Sequence, residues 1–223
     1  AQALVAAFRF IWRRRRYPRR EIDAATALAG IAAATPDQAA RAALSALIDS
    51  YGPRFALAGF QVAAAARILG SFEGSQSTAT LVSAGTGSGK TLAFYLPALS
   101  RVASHIQRDA VDDRWVKVLA LYPRNELLKD QFAEVYGQAR RLDASLAARG
   151  RRKILIGTFF GPTPRSAEKA HEARSGWRQT SAGLVCEYLR CPSPDCDGDM
   201  AWRETDRRAR RERLECLECS AVI

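Results

Sequence analysis

The segment Ala84-Gly85-Thr86-Gly87-Ser88-Gly89-Lys90-Thr91 lies between the apolar pair Leu81-Val82 and an amphipathic run that starts at Leu92. Its three glycines let backbone N–H groups turn inward around an anion without Cβ clashes. Lys90 can then reach the outer phosphates, the Thr91 hydroxyl is a Mg²⁺ ligand, and the positive end of the next helix faces the anion. The predicted strand-loop-helix order favours a nucleoside triphosphate site over a glycine-rich turn that arose by chance.

Strands and helices are predicted to alternate from residue 80 onward. The apolar runs at 80–84, 116–122 and 153–160 predict strands, and the segments 90–105 and 126–146 predict helices. Nearly continuous apolar strands separated by helices are typical of a parallel sheet covered on both faces. Upstream, residues 21–48 predict two helices, with Thr35 as the cap and Pro36 as the first residue of the second, and 60–69 predict another.

The chain is strongly basic, with 34 Lys and Arg against 23 Asp and Glu and a net charge of +11. This balance favours a polyanionic partner. Residues 9–20 hold seven arginines among aromatic residues, and 203–213 hold a second basic cluster; either run fits a nucleic-acid contact or a solvated helix face. The sequence contains no apolar run of transmembrane length and no signal peptide, so we expect a cytoplasmic protein without a membrane partner.

Read together, the segments from about residue 60 to 164 resemble the first RecA-like domain of a superfamily 2 helicase, the class that includes the DEAD/DEAH-box proteins. Residues 84–99 resemble helicase motif I, and Gln61 resembles the upstream glutamine that reads the adenine edge, with a surface glutamine as the alternative. The resemblance implies an ATP site, with Lys90 and Thr91 as catalytic residues and Mg²⁺ on Thr91. The cofactor-binding residues that it implies are Gln61, Ala84, Gly85, Thr86, Gly87, Ser88, Gly89, Lys90 and Thr91.

Residues 120–131 resemble motif Ia, whose loop and helix start hold the backbone of one nucleic-acid strand. This implies nucleic-acid contacts from Pro123, Arg124, Asn125 and Glu126, although Arg124 stands where the family commonly has Thr. The implied function is an ATP-dependent helicase or translocase, with DNA favoured over RNA. The alternatives are a non-enzymatic nucleic-acid-binding module that uses this domain as a scaffold, and an unrelated phosphate-loop enzyme such as a kinase.

Motif II, an apolar strand that ends in Asp-Glu and serves Mg²⁺ and the attacking water, has no counterpart in this sequence. The adjacent acidic pair Asp112-Asp113 follows a polar segment, and we interpret it as a surface turn. We therefore expect a fragment of a longer protein, in which a second RecA-like domain completes the ATP site. The 223 residues alone should bind nucleotide weakly and hydrolyse almost none.

Four of the five cysteines cluster near the C-terminus, as Cys191-x4-Cys196 and Cys216-x2-Cys219. These spacings predict a closed structural Zn²⁺ site in a zinc-ribbon-like unit, with unrelated buried thiols as the alternative. Cys186 lies on an apolar stretch and is predicted to be a core residue. The basic segment 203–213 between the two pairs would form a hairpin that contacts a nucleic-acid backbone.

The expected fold is therefore α/β: a partial RecA-like parallel sheet with a phosphate-binding loop, preceded by a helical region and followed by a small zinc ribbon. The expected units are a basic helical region at 1–50, the incomplete RecA-like domain at 51–185, and the ribbon at 186–223. A ribbon inserted at this point also resembles the arrangement in large bacterial helicases associated with DNA modification, DNA repair and phage defence.

Overall fold

The computed structural model describes residues 11–12, 17–85, 87–109, 114–161, 169–172, 176–193 and 195–223. Thr86 of the phosphate-binding loop, the Asp112-Asp113 pair and the arginines at positions 9 and 13–16 lie outside the described residues. No helix in the described part of the chain is long and apolar enough to cross a membrane.

Helices dominate the first two thirds of the chain, and short strands dominate the last third. The helices are α1 Ala24–Ala32, α2 Gln38–Asp49, α3 Gly59–Ser71, α4 Lys90–Arg108, α5 Asn125–Arg140, α6 Asp143–Ala147 and α7 Glu204–Arg208. The strands are β1 Arg20–Asp23, β2 Ala56–Ala58, β3 Arg178–Thr180, β4 Gly183–Arg190, β5 Asp199–Trp202 and β6 Glu215–Cys216. They form a two-stranded sheet β1-β2 and a four-stranded sheet in the order β3-β4-β5-β6, giving a mixed α/β structure.

The main core lies among the first four helices, because α2 and α3 both pack against α4 and α1 packs against α3. Its apolar side chains recur at helical spacing and include the fully buried Leu44, Leu47, Leu69 and Leu96. The predicted helices at 60–69 and 90–105 are confirmed as α3 and α4. The helix predicted at 126–146 divides into α5 and α6 at Arg141-Leu142. The N-terminal helices thus share one core with the helix that follows the phosphate-binding loop.

The predicted cap of the second helix is wrong, because α2 begins at Gln38 and its N-cap is Asp37 rather than Thr35. The Asp37 carboxylate accepts the N–H groups of Ala39 and Ala40 at 3.0 and 3.2 Å. Thr35 instead accepts the Asp37 N–H at 3.1 Å. A carboxylate at the cap also complements the positive helix terminus, which gives it the advantage over a hydroxyl.

The predicted parallel sheet is not confirmed, since both sheets in the described residues are antiparallel. The segments 80–84, 116–122 and 153–160 form neither helix nor strand. Several of their apolar side chains face solvent, with Leu81 94%, Leu121 81% and Phe159 93% exposed, whereas Ile154 and Phe160 of the last segment are buried. A strand is stabilised by ladder partners and by a covered face. None of these segments has ladder partners in the described structure, and the apolar side chains of 80–84 and 116–122 are at least partly exposed.

The four-stranded sheet packs against α5 through an aromatic cluster centred on Tyr188 of β4. The Tyr188 ring lies 5.7 Å from Phe132, 5.5 Å from Phe160 and 6.1 Å from Trp177, in edge-on arrangements. Lys129 of α5 adds an ion pair to Glu187 at 3.1 Å. The sheet that carries the cysteines is thereby attached to the helix that starts at motif Ia.

Candidate functional site

The phosphate-binding loop leads directly into α4, which has 19 residues and Gly89 as its N-cap. Gly87 and Gly89 have φ values of 78° and 81°, in the left-handed region that favours glycine. The Ser88 N–H donates to the Gly85 carbonyl at 3.3 Å. The turn therefore delivers the free N–H groups of a long helix to one point, the arrangement that binds an anion.

The two predicted catalytic side chains lie at the start of α4. Lys90 Nζ donates to the Ala84 and Gly85 carbonyls at 2.6 and 3.1 Å, so the ammonium group lies across its own loop. Thr91 Oγ1 donates to Gln131 Oε1 of α5 at 3.1 Å. Because the hydroxyl proton goes to Gln131, the lone pairs of Thr91 are left for a cation, as a Mg²⁺ ligand requires.

Gln61 is fully buried, and its side-chain amide forms hydrogen bonds with the backbone around it. Its Oε1 accepts the Ala58 N–H at 2.8 Å, and its Nε2 donates to the Gly89 carbonyl at 2.7 Å. The side chain therefore fastens the start of α3 to the turn of the phosphate-binding loop. One N–H and one lone pair of the amide remain for an adenine edge; that role stays a prediction.

Two residues beside the loop were not predicted from sequence. A Cβ placed on Gly89 would lie 2.8 Å from Arg20 Nη2, and one on Gly87 would lie 3.4 Å from Tyr17 Cε1. The strand β1 and the residues before it therefore lie over the loop and bring a guanidinium group to the anion site. No local sequence signal marks this contact, because it depends on the antiparallel pairing of β1 with β2.

The predicted strand-contacting residues surround the N-terminus of α5. Pro123, Arg124, Asn125 and Glu126 are all exposed, and Arg124 is the N-cap without a side-chain cap hydrogen bond. The Tyr122 hydroxyl contacts the Tyr95 hydroxyl of α4, which ties this segment to the helix after the phosphate-binding loop. A backbone phosphate could meet free N–H groups here. Glu126, an acidic residue, is 82% exposed at the same helix end and lies 3.7 Å from Lys129.

The four predicted zinc ligands converge at one end of the antiparallel sheet, where their sulfur atoms all lie within 4.8 Å of one another. Cys191 Sγ is 3.5 Å from Cys219 Sγ, and Cys196 Sγ is 3.6 Å from Cys216 Sγ. Tetrahedral Zn²⁺ with bonds of ~2.3 Å would hold its sulfur ligands about 3.8 Å apart. The donor set and its spacing therefore fit Zn²⁺.

The surroundings of the cysteines also suit a metal. The N–H groups of Glu218 and Cys219 approach Cys216 Sγ at 3.4 and 3.5 Å. A Cβ on Gly198 would lie 2.7 Å from the same sulfur, so only glycine leaves room for it. The Ala221 N–H lowers the pKa of Cys219 to about 6. The pair of backbone donors and the close glycine are features of a compact thiolate site.

Cys186 stands outside this cluster, as predicted. The side chain is buried in the aromatic core of the sheet, and burial raises the pKa of its thiol to about 11. A protonated thiol in an apolar environment behaves as a core residue rather than a metal ligand.

The basic segment 203–213 is held by carboxylates of its own unit. Asp206, only 1% exposed, pairs with Arg211 and Arg213 at 2.9 and 2.8 Å. The remaining ion pairs join Arg203 to Glu215, and Arg207 and Arg208 to Glu204. These guanidinium groups already stabilise the turn, and a nucleic-acid backbone would have to compete for them.

Comparison with known families identifies the central segment. Residues 59–157 match the DEAD/DEAH box helicase family. The matched region begins at the first residue of α3 and includes the phosphate-binding loop, α4 and motif Ia, so the resemblance to superfamily 2 helicases is confirmed. Druantia protein DruE from Escherichia coli (strain UMEA 4076-1) is 31% identical over 100 residues, covering 43% of this chain and 5% of that protein. None of the solved structures matches the chain.

Proposed function

We propose that the chain is the ATP-binding part of an ATP-dependent nucleic-acid helicase or translocase that acts on DNA. The observation that carries this proposal is a phosphate-binding loop at the start of α4, inside the 59–157 helicase match. A net charge of +11 supports a polyanionic partner. The arrangement of a helicase domain with a cysteine-rich unit favours a role in DNA repair or phage defence.

ATP would lie on the loop formed by residues 84–89, with its phosphates at the N-terminus of α4. Lys90 would leave the carbonyls of Ala84 and Gly85 and bind the outer phosphates. Thr91 would hold Mg²⁺, which supplies charge neutralisation between the phosphates. Arg20, next to Gly89 of the loop, would add a second positive charge. Gln61 would hydrogen-bond to the adenine edge while its Nε2 donates to the Gly89 carbonyl.

The nucleic-acid strand would contact the exposed residues 123–126 at the start of α5. Thr91 of α4 is hydrogen-bonded to Gln131 of the same α5 helix. Binding or loss of the phosphates at Thr91 could therefore shift α5 and the nucleic-acid-contacting residues at its start. In the complete domain, we propose that the segments 80–84, 116–122 and 153–160 pair as parallel strands of a RecA-like sheet, which a second RecA-like domain faces across the ATP. Pairing of that kind would cover Leu81, Leu121 and Phe159.

Cys191, Cys196, Cys216 and Cys219 would hold a structural Zn²⁺ that closes the end of the antiparallel sheet. We assign residues 1–50 to a basic helical region, 51–185 to the ATP-binding domain and 186–223 to the zinc ribbon, although the sheet of the ribbon starts upstream at β3. The metal would stabilise this unit where it packs on α5, beside the strand-contacting residues.

The test is calorimetric titration of the 223-residue chain with ATP and Mg²⁺, compared with Lys90→Ala. The variant should weaken binding by about tenfold or more, because it removes the phosphate-binding charge. Lys153→Ala is the matched control, since Lys153 is 68% exposed and lies 3.5 Å from Asp143. Equal ATP affinity in Lys90→Ala and the unaltered chain would contradict the proposal.

The second candidate function is a non-enzymatic nucleic-acid-binding module, which the net charge of +11 would support without any hydrolysis of ATP. The two functions separate in an ATPase assay of the full-length parent protein in the presence of single-stranded DNA or RNA, because the 223 residues alone are expected to hydrolyse almost no ATP. A helicase or translocase gives turnover that nucleic acid stimulates and Lys90→Ala abolishes. The binding module gives nucleic-acid affinity that falls with salt, unchanged by ATP.

A further inference from the structure

The basic segment 203–213 contains one arginine whose charge is not paired like the others. Five of its six arginines form ion pairs with the carboxylates of Glu204, Asp206 or Glu215. Arg210 is exposed and forms no ion pair within the part of the chain that the structure describes. Its guanidinium group is therefore available to an anion from outside, without the loss of an internal contact.

The backbone of Arg210 is also unusual, because its φ value of 52° lies in the left-handed region. It directly follows Ala209, the C-cap of α7. The Arg210 N–H donates to the Arg207 carbonyl at 3.0 Å, and the Arg211 N–H donates to the Asp206 carbonyl at 2.8 Å. This pair of hydrogen bonds is the Schellman motif, in which the left-handed residue is usually glycine. Arg210 thus stands where a side chain is unfavourable for the backbone.

The needs of the helix end do not explain why an arginine occupies this position. Arg207 and Arg208 already place two basic residues in the last turn of α7, which has only five residues. Ser220 is the other non-glycine residue with a positive φ in the described ranges. Its N–H donates to the Cys216 carbonyl at 3.2 Å and closes the turn that carries two of the cysteines. Arg210 has no comparable structural task for its side chain.

The position of the segment places Arg210 toward the start of α5. The segment 203–213 follows β5, whose last residue, Trp202, pairs with Leu184 at the start of β4. Helix α5 runs along β4 in the same direction, since Lys129 near its start contacts Glu187 and its last turn shares a cavity with the loop after β4. The basic segment and the proposed nucleic-acid contacts at the start of α5 therefore lie toward the same end of the sheet.

The charge of the segment indicates which kind of partner fits. It contains six arginines and three acidic residues, a net charge of +3. A guanidinium group presents a planar fork of N–H donors that matches two oxygens of a phosphate. We propose that Arg210 binds a phosphate of the nucleic-acid strand that also contacts the start of α5. This inference rests on the nucleic-acid binding in the proposed function and extends that surface to the cysteine-bearing unit.

The test measures binding of a fluorescently labelled oligo-dT strand to the 223-residue chain with Zn²⁺, by anisotropy over a series of salt concentrations. Arg210→Gly should weaken binding by about threefold to tenfold, and the slope of log affinity against log salt should fall by about 0.7, the value for one phosphate contact on a single strand. Glycine suits the left-handed backbone, so the urea midpoint should not fall. Arg210→Asn, which also tolerates this conformation, should weaken binding by the same factor.

Arg208→Ala is the matched control, because Arg208 is an exposed arginine of the same segment that pairs with Glu204 at 3.2 Å. It removes the same charge but should change the affinity by less than about twofold. Equal losses in Arg208→Ala and Arg210→Gly would show that binding responds only to the total charge and would overturn the proposal. Binding of labelled polyglutamate as tightly as oligo-dT, with loss in Arg210→Gly, would assign Arg210 to an acidic polypeptide and likewise overturn it.

The same titrations separate this inference from the proposed function. Full affinity and an unchanged salt slope in Arg210→Gly, together with weaker binding in Arg124→Ala, would overturn only the role of Arg210. If the unaltered chain fails to bind oligo-dT at low salt, the nucleic-acid surface at the start of α5 and the contribution of Arg210 are both wrong.

Discussion

Leu96 and Leu121 lie in apolar runs of similar composition, yet Leu96 is fully buried and Leu121 is 81% exposed. Leu96 belongs to α4, which makes most of its backbone hydrogen bonds within the helix, although Pro97 donates none, and whose apolar face meets α2 and α3. Leu121 belongs to the segment 116–122, which forms neither helix nor strand; as a strand it would need a partner for its backbone and a cover for its side chains. The helix forms most of its backbone hydrogen bonds locally, whereas residues 116–122 have no strand partner in the described structure.

The antiparallel sheet extends this comparison. Its order β3-β4-β5-β6 follows the chain, so each strand pairs with its neighbour in sequence. The four cysteines lie at one end of this sheet and all come from residues 191–219. This sheet is therefore assembled from neighbouring segments, whereas the helical core joins α4 to helices that lie much earlier in the sequence.

The largest effect should come from the metal ligands. Cys216→Ser removes a fully buried ligand, and we expect loss of bound zinc and destabilisation of the four-stranded sheet by about 5 kcal/mol or more. The measurements are zinc per chain by mass spectrometry and amide dispersion of residues 178–216. A chelator should act in the same way on the unaltered chain.

Cys186→Ala is the control for this prediction, because Cys186 is buried in the same unit but lies outside the cluster. It should keep its zinc and lose about 1–2 kcal/mol from the cavity it leaves. A zinc content near zero in the unaltered chain, or an unchanged sheet after chelation, would show that the sheet needs no metal.

The next largest effect is expected on the free energy of unfolding when Leu96 and Leu121 are each shortened. Leu96→Ala should lower the free energy of unfolding by about 2–5 kcal/mol, since it leaves a cavity in the helical core. Leu121→Ala should change it by no more than about 0.5 kcal/mol, because the side chain is already in solvent. Urea denaturation measures both. A similar loss in the two variants would mean that residues 116–122 are covered in solution.

The helices of this fold could be predicted from sequence because their signals are local. Leu44, Leu69 and Leu96 each belong to an apolar repeat inside a single helix, and Gly89 directly precedes α4. The cysteine cluster could be predicted for the same reason. The parallel sheet could not be confirmed, because strand pairing depends on which segments lie beside 80–84 and 116–122, and an apolar run contains no such information.

The residues of the candidate nucleotide site also differ in whether the local sequence predicts them. Lys90 and Thr91 follow from a contiguous motif, whereas Arg20 reaches Gly89 only through the pairing of β1 with β2. Gln61 was predicted as an adenine contact from its position in a motif. The hydrogen bond to the Gly89 carbonyl could be seen only once α3 was placed against the loop.

An intermediate effect is expected at Asp37, which joins α2 to α4. The carboxylate, 6% exposed, pairs with Arg101 and Arg108 at 2.9 and 2.7 Å. Burial raises the pKa of this carboxylate. The hydrogen bonds to it, foremost that from the Ser104 hydroxyl, together lower the pKa by more than burial raises it, so the pKa lies below its ordinary value. Asp37→Asn keeps a cap but removes the charge, and it should cost about 1–2 kcal/mol at neutral pH.

The pH dependence follows from the sign of that shift. A lowered carboxylate pKa stabilises the fold above the unfolded value of about 4, and the contribution is lost as pH falls through the folded pKa. The difference in unfolding free energy between the unaltered chain and Asp37→Asn should therefore shrink below about pH 4. A difference that is constant from neutral to acidic pH would rule out the carboxylate charge as the cause.

The smallest effect should come from Gln131, where the helix of motif Ia meets the phosphate-binding loop. Gln131→Leu removes the acceptor of the Thr91 hydroxyl, so the hydroxyl no longer has a fixed direction for its proton. Because Gln131 is only half-buried, stability should change by no more than about 1 kcal/mol. ATP affinity should fall by about threefold to tenfold with Mg²⁺ and remain unchanged with EDTA, since the defect lies in cation binding. Titration under both conditions separates this from general damage: an equal loss with and without Mg²⁺ would mean that Gln131 supports the loop rather than the metal ligand.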